Sequence, residues 1–403
     1  MQAKPRIVVL GAGYAGMMTT KKLVKNLSPE EAEIVLVNKH NYHYQTTWLH
    51  ELAAGTINPN QVRIMIRDII SPNRVRLIYD TVVEIDKDNQ RVLMENSELT
   101  YDYLVVALGY ESNTFGINGM DKHAFFIENF ESCQLIREHI EYQFARYHSD
   151  TTMDEASLAI LVGGGGFTGI EFVGELVEKI PKLCKKYDID RGKVKIINVE
   201  AAPTILPGFD HDLVAYAKKS LQERGAEIME GTKINECTAE GFIVGETNEL
   251  IKAGTIVWTG GVKGNSILDK SGFELTKGKV TVNGDLRAPG YDNIFILGDC
   301  AWVMNKAENR PYPPTAQAAM QHATTCAQNI RALMYQEPLE EFVFSDKGTV
   351  ASLGVTDAVG TILNGTKLYG KSAATMKKVV DDRYLFLLGG PKLLLKKGKF
   401  RPF

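Results

Sequence analysis

The apolar positions of this chain gather in short unbroken blocks. Arg6-Ile-Val-Val-Leu10 and Ile34-Val-Leu-Val37 form one pair, and Leu158-Ala-Ile-Leu-Val162 and Val194-Lys-Ile-Ile-Asn-Val199 form another. Such blocks read as strands covered on both faces, the habit of a parallel sheet. Within each pair lies a glycine turn, GAGYAG or GGGGFTG, followed by a helical stretch to about Leu27 or about Leu183. Each pair is therefore strand, glycine turn, helix, strand, which is a βαβ unit. The two starts lie about 150 residues apart. An α/β protein with two nucleotide-binding domains of similar build is expected.

The rest of the pattern fits around these units. Residues 75–110 read as successive strands ending in Tyr101-Asp-Tyr-Leu-Val-Val-Ala-Leu-Gly109. Thr255-Ile-Val-Trp-Thr-Gly-Gly261 resembles a buried strand end, and Asn293-Ile-Phe-Ile-Leu-Gly-Asp299 is a short buried strand running into Gly-Asp. A proline corner, Arg310-Pro-Tyr-Pro-Pro314, leads into a helix from about Thr315 to Met334, with Thr315 as its candidate cap. Residues 337–403 read as mixed strand and a basic amphipathic end.

The glycines carry the first chemistry. In Gly11-x-Gly13-x-x-Gly16, Gly11 permits a tight turn, Gly13 lets backbone N–H groups approach a pyrophosphate, and Gly16 lets the helix pack on the strand. An acidic residue is expected at the end of the second strand, but Asn38 and Lys39 stand there; Asn38 still offers a hydrogen bond to a hydroxyl. The second motif, Gly164-x-Gly166-x-x-Gly169, does have its acid, Glu200. A carboxylate there accepts ribose hydroxyl protons and repels a 2′-phosphate, so NADH is expected over NADPH. Asp299, at the edge of its strand, is placed to hydrogen-bond the ribityl chain or ribose of a bound FAD.

Composition narrows the class. Hydrophobic residues are 44% and charged residues 24% of 403, as in a folded chain. Five cysteines lie far apart with no CxxC pair, which argues against a vicinal dithiol or a zinc ribbon and fits reduced thiols. The first strand begins almost at the N-terminus, so no signal or transit peptide is expected. The net charge is −3, yet Lys371–Phe403 holds nine Lys/Arg against two Asp, and the 370 residues before it carry −10. An acidic body with a basic apolar tail points away from nucleic acid and toward an acidic surface.

Taken in order, GAGYAG, YDYLVVALG, GGGGFTGIE, INVE, NIFILGDCA and PPTAQAAMQH resemble the flavoproteins with two dinucleotide-binding domains. Within them the chain resembles the type II NADH dehydrogenases, single-chain NADH:quinone oxidoreductases that pump no protons. The resemblance covers almost the whole chain. It implies two Rossmann-like domains of the glutathione-reductase kind, non-covalent FAD, NADH as substrate and a membrane quinone, menaquinone or ubiquinone, as acceptor. It also implies that residues 1–112 and 266–330 bind FAD, 113–265 bind NADH, and 331–403 serve membrane association and dimerisation. Thr46 and Thr47 in the stretch after Asn38, with Gly109, Gly260 and Ala316, join the expected cofactor contacts. No metal site is expected.

Gln317 and Gln321 are four apart and share a helix face. Two amides near a flavin edge could hydrogen-bond a quinone carbonyl, and by resemblance this is the family's quinone motif. Glu171 falls in the first turn of the second glycine helix. It is either a compensating charge for the helix dipole or, as the resemblance implies, a group for substrate binding or proton handling. Lys377 resembles a family lysine near the quinone, able to pair with Glu171. Disulfide reductases carry a cysteine pair in the region that here spans residues 40–56, which contain no Cys.

The tail alternates apolar clusters, Tyr384–Leu388 and Leu393–Leu395, with Lys and Arg. Neither cluster can span a bilayer; together they suit an in-plane anchor on the cytoplasmic face of the cell membrane, or a pair of helices packed on the body or on a second subunit of a homodimer. Two other functions compete. A sulfide:quinone oxidoreductase needs cysteines at the flavin, and only Cys300 is near a flavin motif. A non-catalytic NADH-binding protein would keep the fold without turnover.

Overall fold

The computed structural model describes residues 4–363 and 365–400. Met1–Ala3, Asn364 and the last three residues of the basic tail, Arg401–Phe403, lie outside the described residues.

The first unit opens with β1 (Arg6–Leu10), helix α1 (Tyr14–Asn26) and β2 (Glu33–Asn38). Helix α2 (Leu49–Ala54) follows, then β3 (Arg76–Tyr79) and β4 (Tyr103–Val106). All four strands pair in parallel, with β1 between β4 and β2 and with β3 at one edge. The other edge is closed by Ile294–Ile296, which returns from far downstream to pair with β4. Residues 7–10 of β1 are fully buried, which is why the block is apolar without alternation.

The second unit repeats the plan. It contains β5 (Phe125–Phe126), α3 (Phe130–Ser149), β6 (Ile160–Gly163), α4 (Phe167–Tyr187), β7 (Ile196–Val199), β8 (Ala226–Met229) and β9 (Thr255–Trp258). Its parallel order is β5-β9-β6-β7-β8. Each unit also carries a three-stranded antiparallel meander before its last strand, over Val82–Thr100 in the first and Ile234–Lys252 in the second. The repeat is thus deeper than the glycine motifs.

The chain then forms β10 (Ile294–Ile296) and α5 (Ala316–Tyr335), which packs along α1. Thr315 caps α5 as expected, accepting the Ala318 N–H at 3.1 Å. The remainder is an antiparallel sheet of β11 (Gly348–Ser352), β12 (Ala358–Ile362) and β13 (Thr366–Tyr369), and helix α6 (Gly370–Lys397). Helix α6 is broken at Gly390, whose φ of 67° is left-handed, just before Pro391. The tail is therefore two helical segments that pack on the body. The side chain of Lys21 donates to the carbonyls of Leu387 (2.9 Å) and Leu388 and so closes the first segment's last turn.

Two glycines show why the turns demand their residue. A Cβ on Gly16 would lie 1.8 Å from the Gly11 carbonyl oxygen, and one on Gly169 would lie 2.0 Å from that of Gly164. Gly11 and Gly164 themselves have φ of +94° and +104°.

Candidate active site

One cavity of about 930 Å³ runs between the two units and the tail. That is near the upper end of small-molecule sites, roughly 300–1,000 Å³. Gly11 and Gly13 of the first turn line it, with Asn38 and Lys39 from the end of β2. Thr46 and Thr47 form another wall, Gly109 and Asp299 leave the ends of β4 and β10, and Ala316 and Gln317 open α5. Glu171 comes from α4 and Lys377 from α6. A Cβ on Gly13 or Gly109 would meet nothing within 4 Å, so both backbones face open space. No side chain caps α1, whose N-cap is Gly13, so its first amides are left for a ligand. This is a cradle suited to a dinucleotide with a phosphate at α1.

The loop amides are held in a matching way in both units. The Ala12 N–H donates to Asn38 Oδ1 at 2.9 Å. At the corresponding place, the Gly165 N–H donates to Glu200 Oε2 at 2.5 Å, and the Ala202 N–H donates to Oε1 at 2.6 Å. The strand-end side chain therefore braces its own glycine turn in each unit. Gly164, Gly166, Gly169, Glu200 and Gly260 stand outside the wall of the large cavity, while Phe167, Thr168 and Glu171 of the same helix are in it. Gly260 packs against the second turn: a Cβ on Gly164 would come within 2.7 Å of the Gly260 Cα.

Glu171 is nearly fully buried and well partnered. Lys377 Nζ lies 2.9 Å from Oε1, the Ser352 N–H donates to the same oxygen at 3.0 Å, and His50 Nδ1 is 3.5 Å from Oε2. Burial pushes the carboxyl up, but Lys377, His50 and the Ser352 amide together hold it below its usual range. Burial pushes Lys377 down, and Glu171 and Asp381 more than reverse this, so it is held above its ordinary value. Gly174 makes room for the approach of β11, since a Cβ there would sit 2.4 Å from the Leu353 carbonyl carbon. The next turn of α4 adds Glu175, 2% exposed and pushed by burial and by Glu51 up to about 8. Behind it, Lys399 pairs with Asp381 at 2.8 Å and Glu51 at 2.5 Å.

Gln321 departs from the expectation. Its Oε1 accepts the Ser345 N–H at 2.8 Å and its Nε2 donates to the Ser345 carbonyl at 3.0 Å, and it is not in the cavity wall. Gln317 is in the wall, yet its Oε1 also accepts the Lys347 N–H at 2.8 Å. The segment leading into β11 has polar backbone groups to satisfy, and both glutamines meet them. His43, His50, Ser352 and Tyr384 went unforeseen. The sequence held one sign of them, two histidines beside tyrosines in the polar stretch 38–47.

Cys300 follows Asp299 but is fully buried, its thiol donating to the Gly109 carbonyl at 3.3 Å, and burial pushes it up to about 12. It is not in the cavity wall, and the other four cysteines are also buried.

A family model described as pyridine nucleotide-disulphide oxidoreductase matches residues 5–323. The chain is 46% identical over 402 residues to "Type II NADH:quinone oxidoreductase" of Staphylococcus aureus (strain bovine RF122 / ET3-1), covering 99% of this chain and 100% of that protein. The fold is similar to that of NDH2 from Plasmodium falciparum in complex with NADH (TM-score 0.87, 19% identity, 98% of this chain and 97% of that one). It is also similar to the sulfide:quinone oxidoreductase of Aquifex aeolicus (TM-score 0.76, 20% identity, 98% and 94%). With two glycine-turn units facing one cavity and a full-length relative at this identity, the chain belongs to the type II NADH:quinone oxidoreductase family, within the pyridine nucleotide-disulphide oxidoreductases.

Proposed function

We propose that this chain is an FAD-dependent NADH:quinone oxidoreductase that works at a membrane surface. The observation that carries the reading is that a single cavity joins the first glycine turn, the opening of α5, Glu171 of α4 and the tail helix α6. When bound, FAD would supply the two-electron chemistry that links NADH to a quinone. Gly11, Gly13, Asn38, Lys39, Thr46, Thr47, Gly109 and Asp299 would hold it along the cavity, and the uncapped amides of α1 would be free to take a phosphate. The amides of Ala316 and Gln317 open α5 toward the cavity, where the positive end of the helix dipole favours negative charge. Gly164, Gly166, Gly169, Glu200 and Gly260 form the seat of the NADH. Glu171 keeps its carboxylate beside Lys377, which sets a cation and a carboxylate able to relay solvent protons beside an acceptor that takes up two protons as it is reduced. Gln317 orients the quinone; Gln321 holds the segment that leads into β11.

Residues 1–112 with 266–330 serve FAD and 113–265 serve NADH in this reading, which the strand membership of the two parallel sheets supports, and 331–403 serve the membrane. Val380 and Arg383 are exposed and also line the cavity, so its mouth opens on the tail. Val379, Phe386, Leu387, Leu395 and Phe400 are exposed nearby, among Lys392, Lys396 and other basic residues. Among the described residues no helix is long and apolar enough to cross a membrane. An in-plane anchor on an anionic leaflet, at the cytoplasmic face, fits this surface, with pairing of two copies through the same region.

The test is an anaerobic NADH titration of the flavin-loaded protein, followed by menaquinone or ubiquinone in anionic vesicles. Bleaching on NADH and recovery on quinone are expected. A protein that stays yellow with NADH sinks the reading. A protein that bleaches but passes no electrons to quinone is a sensor rather than a dehydrogenase. Sulfide oxidation through Cys300 lacks support, because that thiol is buried outside the wall.

A further inference from the structure

His43 and Tyr384 are 341 residues apart, yet they form one buried chain of hydrogen bonds that ends on the first glycine turn. His43 is 1% exposed and Tyr384 3%. The ring Nδ1 of His43 is 2.7 Å from the Ala12 carbonyl oxygen, and its Nε2 is 3.0 Å from the Tyr384 hydroxyl. A carbonyl can only accept, so Nδ1 carries the proton. In the neutral ring Nε2 is then the acceptor, and the Tyr384 O–H donates to it. Burial, only partly opposed by the Ala12 carbonyl, pushes His43 down to about 4, which keeps the ring neutral at ordinary pH.

Ala12 is thereby fixed on both sides of its Cα. Its N–H is taken by Asn38 Oδ1 and its C=O by His43. Ala12 lies between Gly11 and Gly13, so the two peptide groups that flank it set where the turn's amides point. Tyr384 reinforces the tie with its ring, 4.4 Å between centroids from Tyr14 in the first turn of α1. Asn38 was foreseeable from the motif. His43 and Tyr384 were not, because Tyr384 belongs to the tail.

We propose, resting on the FAD reading above, that His43 and Tyr384 are positioning residues for the cofactor's phosphate turn, and that helix α6 holds the flavin in place through them. The tail is then a working wall of the cofactor site as well as its contact with lipid. Nothing in this role needs turnover, so it can be read without it.

The experiment measures FAD release from the holoenzyme, by the rise in free-flavin fluorescence on dilution, in a double-mutant cycle. Tyr384→Phe removes the hydroxyl alone. His43→Asn places an amide nitrogen where Nδ1 stands, keeping the bond to Ala12 but falling short of Tyr384. One buried hydrogen bond corresponds to a roughly two- to tenfold change. Tyr384→Phe is expected to speed release by about that factor in the parent and to have no effect in the His43→Asn background. Equal effects in both backgrounds, or none in the parent, overturn the proposal. His43→Gln gives a second reading should Tyr384→Phe fold poorly. It can still meet Tyr384 but gives up Ala12, so faster release is expected and parent-like retention counts against the role. A parent that binds no FAD at all sinks the underlying reading, and this inference with it; a parent that holds FAD without coupling sinks the inference alone.

Discussion

Lys377 Nζ stands 2.9 Å from Glu171 Oε1, bringing the tail helix into contact with the second turn of α4, whose first turn holds no acidic residue. Both side chains are largely shielded from water, at 15% and 9% exposed. Removing one member of such a pair leaves a charge in a poor medium and costs about 3 kcal/mol or more. Lys377→Met is expected to lose about that much stability at pH 8 in urea denaturation. The loss should shrink at pH 5. Without the cation, burial raises the Glu171 carboxyl above its unfolded value, and a raised acid destabilises the fold as pH rises. The double variant Lys377→Met/Glu171→Gln should recover most of it. A pH-independent loss would show that the pair is not what is being read.

Glu175 gives a second pH dependence. Its folded carboxyl is pushed up to about 8 from 4.5 by burial and by Glu51. The folded state then holds a proton that the unfolded state releases, so this group's stability is fully present below pH 4.5 and is lost as pH rises through about 8. Glu175→Gln keeps the shape and removes the titration. The variant is expected to gain on the parent steadily between those limits in thermal unfolding. Parallel curves for the two proteins would contradict it.

Glu200 uses both oxygens on backbone amides, that of Gly165 in the second glycine turn and that of Ala202 just past its own strand. Glu200→Gln replaces one acceptor with a donor, so either Gly165 or Ala202 loses its partner. About 1–3 kcal/mol is at stake, so the KM for NADH should rise by about tenfold or more. Loss of the charge should also narrow the preference for NADH over NADPH. Steady-state KM values for the two nucleotides check both effects. A variant that discriminates as sharply as the parent would remove Glu200 from the specificity argument.

The two glutamines of α5 should separate. Gln321 bonds only to the backbone of Ser345 in a partly exposed place, so Gln321→Ala is expected to cost about 1–2 kcal/mol of stability. Quinone KM should stay within about twofold for that variant, while Gln317→Ala, in the cavity wall, should raise it by up to about tenfold for one lost contact. If the two substitutions change KM alike, both amides reach the quinone.

Much of the fold was readable because it rests on local chemistry. The blocks at 6–10, 34–37, 158–162 and 194–199 and the glycines between them dictate parallel strands and sharp turns at once. The cradle residues Gly11, Gly13, Asn38 and Asp299 follow from the same short-range rules. The partners of those residues were not readable. Ser352 reaches Glu171 across 181 positions, and Tyr384 reaches His43 across 341. Nothing in either neighbourhood announces the other. The partner of Gln321 was hidden for a related reason. Helical spacing places it on the face of Gln317, and the neighbour on that face is a strand lead-in whose backbone bonds its amide.

All five thiols are enclosed, and the one beside the Gly-Asp turn is held by a carbonyl in a setting that keeps it protonated. An oxidant in the surrounding fluid meets no exposed thiol among the described residues. Its catalytic capacity should therefore outlast peroxide exposure that silences dithiol-based relatives of the same architecture, and it should need no glutathione or thioredoxin to stay competent.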